Sequence, residues 1–317
     1  MLLGGLVGFA AASPAFVIAG DPGLLAVARL GQGAAAAAFS PAASTLVARL
    51  TPTGGHGRRF GSYGAWKGLG YTRGPLVGGA LVTLGGFTLL FSALCALACC
   101  VAMWAVWAVP RVAPLPRRRS TVIDLARRLI RPEFLSPTVV LAASTAALSA
   151  GVGFLPVLGA ASGMNAFVTG TGVSILSACA ALTQPWAGRA LDGKRLSYGA
   201  GTAVGLLLCA AGFISAATIP GLTGLLAGAI TIGFGAGVLT PLGFACLAAC
   251  APAERLGETM GAAEVGRELG DAGGPLLVGV IAAASTLSTG LLGAAIALLA
   301  AAVIAPAGFS RDRPSRA

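Results

Sequence analysis

The amino-acid sequence predicts an all-α polytopic membrane protein, a bundle of about ten transmembrane helices. Of its 317 residues, 56% are hydrophobic and only 10% are charged, and the mean hydropathy is +0.87. A soluble domain carries roughly 25% charged residues, so this composition does not suit a surface that faces water. Apolar stretches rich in Ala, Leu and Gly recur along the whole chain, and about 20 residues cross the hydrocarbon core as a helix.

The apolar runs, divided at Pro, Gly and charged residues, predict ten spans. They lie near residues 1–20, 23–50, 59–84, 86–109, 137–160, 167–188, 197–218, 221–250, 260–283 and 286–308. An arginine-rich segment with a short amphipathic stretch at 122–130 separates the first four spans from the last six. The predicted domains are an incomplete N-terminal half-bundle (1–110), a cytoplasmic linker (111–136), a C-terminal half-bundle (137–308) and a cytoplasmic tail (309–317).

The basic residues predict the orientation of the chain. Outside the spans, Lys and Arg occur at alternate span ends, in the linker and in the tail. The opposite set of short loops, around Asp21, Gly85, Ser162, Ile219 and Ser285, contains no Lys or Arg. Cytoplasmic loops carry the excess of basic residues, so we expect both termini and the linker to lie on the cytoplasmic side of the cell membrane. The linker is interpreted as a helix on an anionic membrane surface rather than a nucleic-acid site, because no aromatic residue interleaves its arginines.

An internal repeat relates the two halves. Residues 33–79 match residues 233–279 without a gap, 200 positions apart, as in Pro41/Pro241, Gly70/Gly270 and Pro75/Pro275. Parallel repeats of several helices are typical of secondary transporters that rock around a central site. At the same offset, the spans at 137–160 and 167–188 have no counterpart after Met1, so we expect two further helices before it.

Three motifs resemble those of the major facilitator superfamily. Residues 29–33, with Arg29 and Gln32, are similar to the signature of the family's fourth helix. A second set resembles the fifth-helix motif of its proton-coupled antiporter, or drug-efflux, branch: Gly61, Gly70, Gly74, Pro75, Gly78 and Gly79. Residues 188–195 resemble a degenerate copy of the family's cytoplasmic loop motif, with Gly188, Asp192, Lys194 and Arg195. Residues 1–308 would then correspond to the third through twelfth helices of the family.

The resemblance implies two pseudo-symmetric halves and a secondary transporter. The implied function is proton-coupled efflux of a small organic molecule or drug by alternating access; the alternative is a truncated or inactive transporter fragment. Expected partners are the lipid bilayer, the small molecule and protons, with no nucleic acid, no cofactor and a monomeric chain. An enzyme is not expected, because the sequence lacks metalloprotease, nucleophile-elbow and phosphate-loop motifs. We likewise expect no metal site, since His56 is the single histidine.

Glycines spaced four apart suggest closely packed helices. Gly70, Gly74 and Gly78 would give one helix a flat face, as would Gly266, Gly270 and Gly274 in the second half. Such faces let two backbones approach closely in lipid, and Pro75 would kink its helix. Two interpretations remain open here, an interface at which the halves move and tight packing with no role in transport.

Charges inside the spans are the candidate transport residues, because burying an ion in the bilayer is costly. Arg29 with Gln32 would hold an anionic or protonatable group; the alternative is that Arg29 reaches toward the outer headgroups. Four further candidates lie together in the ninth span: Glu264, Arg267, Glu268 and Asp271.

In that ninth span, helical spacing predicts that Arg267 pairs with Glu264 and Asp271. This leaves Glu268 without a local cation and makes it the preferred proton carrier. The alternative is that Glu264 and Glu268 merely lie in water at the cytoplasmic edge. Asp192 is expected to face a helix N-terminus and to stabilise the inward-closed state.

Overall fold

The computed structural model describes residues 1–52, 54–110 and 132–310. In these ranges the chain forms α-helices joined by short turns, and no strand occurs. The helices are α1 (Leu2–Ala12), α2 (Ala15–Ile18), α3 (Pro22–Arg49), α4 (His56–Ala108), α5 (Pro132–Ala161), α6 (Ala166–Asp192), α7 (Tyr198–Thr218), α8 (Gly221–Cys250), α9 (Leu256–Ala284) and α10 (Leu287–Ser310). Most of the predicted linker and the end of the predicted tail lie outside the described residues.

The helix α4 contains two of the predicted spans. Gly85 and Gly86 have non-helical backbone angles, and Gly86 has a φ of 68°, a conformation that glycine adopts without a steric penalty. They separate a first arm (56–84) from a second arm (87–108). Counted with α1 and α2 as one segment and α4 as two, the described residues contain ten helical segments, roughly consistent with the predicted all-α bundle of about ten helices.

Five segments are long and apolar enough to cross a membrane on length and composition alone: Val77–Ala108, Phe134–Ala161, Phe167–Asp192, Tyr198–Thr218 and Gly221–Cys250. Two shorter apolar helices are Leu2–Ile18 and Leu287–Val303. The less apolar segments are α3, the first arm of α4 and α9, which carry the charged residues predicted inside the membrane. Such charges require protein or water around them rather than lipid.

Large apolar side chains cover much of the outer surface. Leu84, Trp107, Phe167 and Leu182 are each at least 75% exposed. Soluble monomers rarely expose extensive apolar patches, whereas a lipid-facing surface requires them. The chain is an integral membrane protein.

By its internal contacts the chain divides into two compact units. The first consists of Met1–Leu46 and the chain from Arg73 through the second arm of α4. Its packing includes the stacked rings of Phe16 and Phe91, whose centroids are 4.6 Å apart. The Cys95 thiol on the second arm donates a hydrogen bond to the carbonyl oxygen of Ala10 on α1 (3.4 Å).

The second unit contains α5 to α10 together with Val47–Thr72, a segment that the sequence prediction places with the N-terminal half. Its main core is built from buried apolar residues of α5 to α10. Hydroxyl groups connect α5 to its neighbours: Ser144 donates to the Ala236 carbonyl on α8 (3.1 Å), and Thr145 donates to the Arg267 carbonyl on α9 (2.8 Å). Hydrogen bonds of this kind stabilise helix pairs in lipid.

The described Lys and Arg residues of the second unit that lie outside the spans mark one end of it, called here the basic end. It carries Arg49, Arg58, Arg59, Arg189, Lys194, Arg195 and Arg255.

Candidate functional site

The charged residues of α9 form a cluster around Arg267. The Arg267 guanidinium lies 3.4 Å from Glu264 (Nη1 to Oε2) and 3.7 Å from Glu268 (Nη2 to Oε1). The predicted pair with Glu264 is present, but Arg267 pairs with Glu268 rather than with Asp271 among the described residues. Helical spacing places acids at both i−3 and i+4 within reach of Arg267, so spacing alone does not choose between Glu264 and Asp271.

Burial separates the two glutamates of this cluster. The Glu268 side chain is 66% exposed, whereas that of Glu264 is 5% exposed. Neither carboxylate oxygen of Glu264 has a hydrogen-bond partner within the described part of the chain. Glu268, which has no cation four residues away on α9, lies beside the adjacent Arg267 instead, and Glu264 is the buried acid. Sequence spacing missed this because it does not reveal which side of α9 faces other helices.

The first arm of α4 brings a tyrosine and a lysine to the same cluster. Tyr63 interacts electrostatically with Glu264 and Arg267. Lys67 lies within electrostatic range of these two residues and of Glu268 and Asp271, but it forms no ion pair with them in the part of the chain that the structure describes. Positively and negatively charged groups from opposite ends of the sequence are thus gathered inside the second unit.

A buried apolar cluster lies between these charges and the basic end. None of its buried members is more than 6% exposed, and α3, α4, α5, α8 and α9 all contribute to it. At its centre the rings of Phe60 (α4) and Phe244 (α8) stack with centroids 5.2 Å apart and an interplanar angle of 10°. Met260, one turn before Glu264 on α9, belongs to the same cluster. We call Phe60, Phe244 and Met260 the apolar seal.

At the basic end, the last residue of α6 contacts the first turn of α4. The Asp192 carboxylate accepts hydrogen bonds from the backbone N–H groups of Gly57 (2.9 Å) and Arg58 (2.7 Å). Those groups have no partner within their own helix, and a helix N-terminus favours negative charge. We call this contact the latch. Gly188 and Asp192 lie in α6 rather than in a loop, because α6 continues four residues past its predicted end; Lys194 and Arg195 follow in the turn.

A row of glycines on the first arm of α4 packs against α6. A Cβ added at Gly57 would lie 2.5 Å from the Gly188 carbonyl oxygen, and one at Gly68 would lie 2.9 Å from the Ala181 Cβ. One at Gly61 would collide with the Gln184 backbone. Gly64, between them, faces the Gln184 side chain. The motifs found in the sequence do not include Gly64, Gly68 or Gln184, although glycine spacing along one helix face is a recognisable signal.

The predicted glycine faces differ in what they contact. Gly266, Gly270 and Gly274 on α9 lie directly against α5. By contrast, a Cβ added at Gly70, Gly74 or Gly79 would meet nothing within 4 Å in the described residues, and one at Gly78 would meet only Leu90. Among the glycines of the predicted antiporter motif, only Gly61 therefore has a close backbone neighbour within the described residues.

A second polar site lies in the first unit. Gln32 is 8% exposed, and its side-chain oxygen accepts a hydrogen bond from Arg29 Nη1 at 3.5 Å. The Arg29 guanidinium also lies over the Phe16 ring, 5.4 Å from its centroid. A cation over an aromatic face is stabilised electrostatically. Phe16, which together with Gln32 orients Arg29, belongs to no motif that the sequence displays.

Comparison with known proteins decides the family. The family model described as Major Facilitator Superfamily matches residues 1–192 and 138–317. The chain belongs to the major facilitator superfamily. The resemblance to this superfamily inferred from the three motifs is confirmed.

Two of its relatives within the superfamily are named for drug resistance. The puromycin resistance protein pur8 of Streptomyces alboniger is 47% identical over 78 residues, which cover 24% of this chain and 16% of the relative. A multidrug resistance protein B homolog of Mycobacterium tuberculosis (H37Rv) is 35% identical over 149 residues, covering 46% of this chain and 26% of the relative. The matches thus span about a quarter or less of each relative's length.

A solved superfamily structure shares the fold. The crystal structure of the E. coli fucose:proton symporter FucP matches with a TM-score of 0.74 at 16% sequence identity. The match covers 96% of this chain and 82% of FucP. At this level of identity the likeness concerns the fold alone.

The candidate residues of this superfamily member form separate groups. Glu264, Arg267 and Glu268 lie together, with Lys67 added by the structure. Asp192 and Gly188 meet the start of α4, while Arg29 and Gln32 belong to the first unit.

Proposed function

We propose that this superfamily member is a secondary active transporter that exports a small organic molecule in exchange for protons. The observation that carries the proposal is the cluster of ionisable side chains on α9 and the first arm of α4, which includes the buried Glu264. Ionisable residues inside the membrane are costly and mark the pathways of ions and protons. The resistance proteins among its relatives support an organic molecule as the substrate.

We further propose that the protein lies in the cell membrane with its basic end and both termini on the cytoplasmic side. We also propose that the chain acts as a monomer. The positive-inside rule supports this orientation. The latch and the apolar seal would then hold the transporter closed on the cytoplasmic side. Alternating access would require Asp192 to release Gly57 and Arg58, and Phe60 to separate from Phe244. Gly188, Lys194 and Arg195 would belong to the same cytoplasmic gate.

Transport by inside-out membrane vesicles tests the proposal. Puromycin serves as the first substrate because one relative is named for resistance to it. We expect vesicles with an acidic interior to accumulate puromycin, because exit of protons would drive its entry. A protonophore should abolish the accumulation, and vesicles without the protein provide the baseline.

The result also distinguishes the alternative function. Accumulation that persists when the pH gradient is collapsed would contradict proton coupling. Absence of accumulation for puromycin and for a panel of other organic molecules would favour a chain that inserts and folds but does not transport.

A further inference from the structure

We propose that Ser149 is a positioning residue for the charged cluster around Arg267, because its hydroxyl group replaces the backbone N–H that Pro275 lacks. The resulting bond between α5 and α9 keeps the parts of α9 before and after Pro275 in line. The importance of Ser149 for transport rests on the proposed function, whereas its effect on the shape of α9 does not.

Pro275 leaves one carbonyl group of α9 without its partner in the helix. In an α-helix each backbone N–H donates to the carbonyl four positions earlier, and proline has no N–H. The Asp271 carbonyl therefore has no donor at position 275, although α9 continues through this position as part of the helix Leu256–Ala284. In lipid, a backbone group without a partner costs several kcal/mol, on the order given by transfer from water.

Ser149 on α5 supplies the missing donor. Its hydroxyl group donates a hydrogen bond to the Asp271 carbonyl oxygen at 2.8 Å. Hydroxyl groups of neighbouring helices are among the groups that make proline tolerable inside a membrane helix. Other internal prolines also free a carbonyl four positions earlier, but no side chain of the described residues donates to it at Pro41, Pro156, Pro185 or Pro241. The contact is therefore particular to Pro275.

Two glycines let α5 come close enough for the short serine side chain to reach the backbone of α9. Gly270 and Gly274 lie one position before Asp271 and Pro275. A Cβ added at either glycine would collide with a backbone carbonyl oxygen of α5. Larger residues at these two positions would hold the helices apart and prevent the hydrogen bond from Ser149.

Thr145 provides a comparison within the same pair of helices. One turn before Ser149 on α5, it donates to the Arg267 carbonyl, also at 2.8 Å. That carbonyl has a regular donor in its own helix, the N–H of Asp271. Loss of the Thr145 hydroxyl would leave the backbone bond of α9 in place, whereas loss of the Ser149 hydroxyl would leave the Asp271 carbonyl with neither donor.

The bond matters for the charged cluster because Pro275 divides α9 into two parts. Glu264, Arg267 and Glu268 all lie in the part before Pro275, on the side of the basic end. Sharp helix kinks occur mainly at proline. A bend at Pro275 would change the direction of the part that carries these charges. The hydrogen bond from Ser149 opposes that bend and so fixes the place of the cluster in the second unit.

Spin-label distances measured by pulsed EPR on the full chain in lipid vesicles test the proposal. Val265→Cys precedes Pro275 and Val280→Cys follows it, and each is paired with Leu207→Cys on α7 in a cysteine-free background; all three positions are exposed. We expect Ser149→Ala to shift or broaden the distance from position 265 by up to about 5 Å, the displacement that a 20° bend produces ten residues away. The distance from position 280 should not change.

The matched control is Thr145→Val, which removes the other hydroxyl between α5 and α9 and should preserve both distances. A second substitution identifies the cause, because Pro275→Ala restores an N–H at position 275. In that background, adding Ser149→Ala should have no further effect. The proposal is overturned if Ser149→Ala leaves the distance from position 265 unchanged, if it acts equally with and without Pro275, or if Thr145→Val acts in the same way.

The vesicle assay with puromycin measures the consequence for transport. At matched protein content, Ser149→Ala should slow the accumulation driven by the pH gradient several-fold, and Thr145→Val should keep the rate of the parent. A normal rate for Ser149→Ala would contradict its positioning role. A parent protein that transports nothing would contradict the proposed function alone, since the distance measurement uses neither substrate nor gradient and still decides whether Ser149 holds α9 at Pro275.

Discussion

Asp192 and Gly57, 135 positions apart in the chain, are joined by a hydrogen bond of 2.9 Å from the Gly57 N–H to a carboxylate oxygen of Asp192. The second carboxylate oxygen accepts from Arg58 at 2.7 Å. One side chain on α6 therefore satisfies two donors at the start of α4. It places a negative charge at the positive end of that helix.

Removing the charge of Asp192 should weaken this contact. Asp192→Asn keeps one acceptor but loses the interaction with the helix dipole, so we expect a loss of about 1 kcal/mol in stability. Reaction of Cys209, which is 0% exposed, with a thiol-reactive dye reports unfolding on heating when Cys209 is the single cysteine. Lys194→Gln, in the exposed turn after α6, is the control and should melt like the parent. An unchanged melting temperature for Asp192→Asn would contradict a stabilising latch.

Two glycines of the same motif should respond in opposite ways to alanine. Gly61→Ala forces a methyl group into the backbone of α6 at Gln184, and overpacking of this kind costs about 1–3 kcal/mol. Gly70→Ala meets nothing within 4 Å among the described residues and should be neutral or gain about 0.5–1 kcal/mol in helix stability. The Cys209 melting assay compares them. Equal effects of the two substitutions would argue against the close contact at Gly61.

Removing one partner of the Glu264–Arg267 ion pair should lower the stability of the protein more than removing both partners. Arg267→Gln leaves the buried Glu264 without its nearest cation, and loss of one partner of a buried pair costs about 3–5 kcal/mol. The double variant Glu264→Gln/Arg267→Gln should recover part of that loss. Asp271→Asn is the control and should have little effect, since the structure pairs Arg267 with Glu264 and Glu268 instead. Additive losses in the double variant would show that the two residues do not interact.

The apolar seal should control access to the charged cluster from the basic end. Phe244→Leu keeps an apolar side chain but removes a ring stack worth about 0.5–1.5 kcal/mol. We expect faster reaction of a cysteine at Tyr63 with a charged thiol reagent in a cysteine-free background. Phe213→Leu, at another buried phenylalanine of the second unit, should leave the rate unchanged. Equal reaction rates in the parent and Phe244→Leu would show that the Phe60–Phe244 stack does not control access from the basic end.

Single cysteines test the proposed orientation of the chain. Ser162 and Ser285 lie in exposed turns at the end opposite the basic end, and Lys194 is exposed at the basic end. Cysteines at Ser162 and Ser285 should react with an impermeant reagent in intact cells. A cysteine at Lys194 should react only after permeabilisation, and its labelling in intact cells would reverse the orientation.

The sequence alone predicted the bounds of the helices in the described residues to within a few residues. The eighth span, predicted at 221–250, is the helix Gly221–Cys250. This succeeds because a segment in lipid must satisfy all its backbone hydrogen bonds internally, so its apolar length nearly dictates its structure. Charged residues stand out within such apolar segments, and for this reason the sequence by itself identifies Glu264, Arg267 and Glu268 as candidates.

Only the tertiary structure decided how those elements meet. It selected Glu264 over Glu268 as the buried acid, gave Asp192 its partner on α4, and packed Gly61 while leaving Gly70 open. Periodicity shows which residues share a helix face but not which neighbour that face contacts. In lipid the hydrophobic effect does not distinguish the faces, so helix rotation is set by close packing and interhelical hydrogen bonds among distant segments.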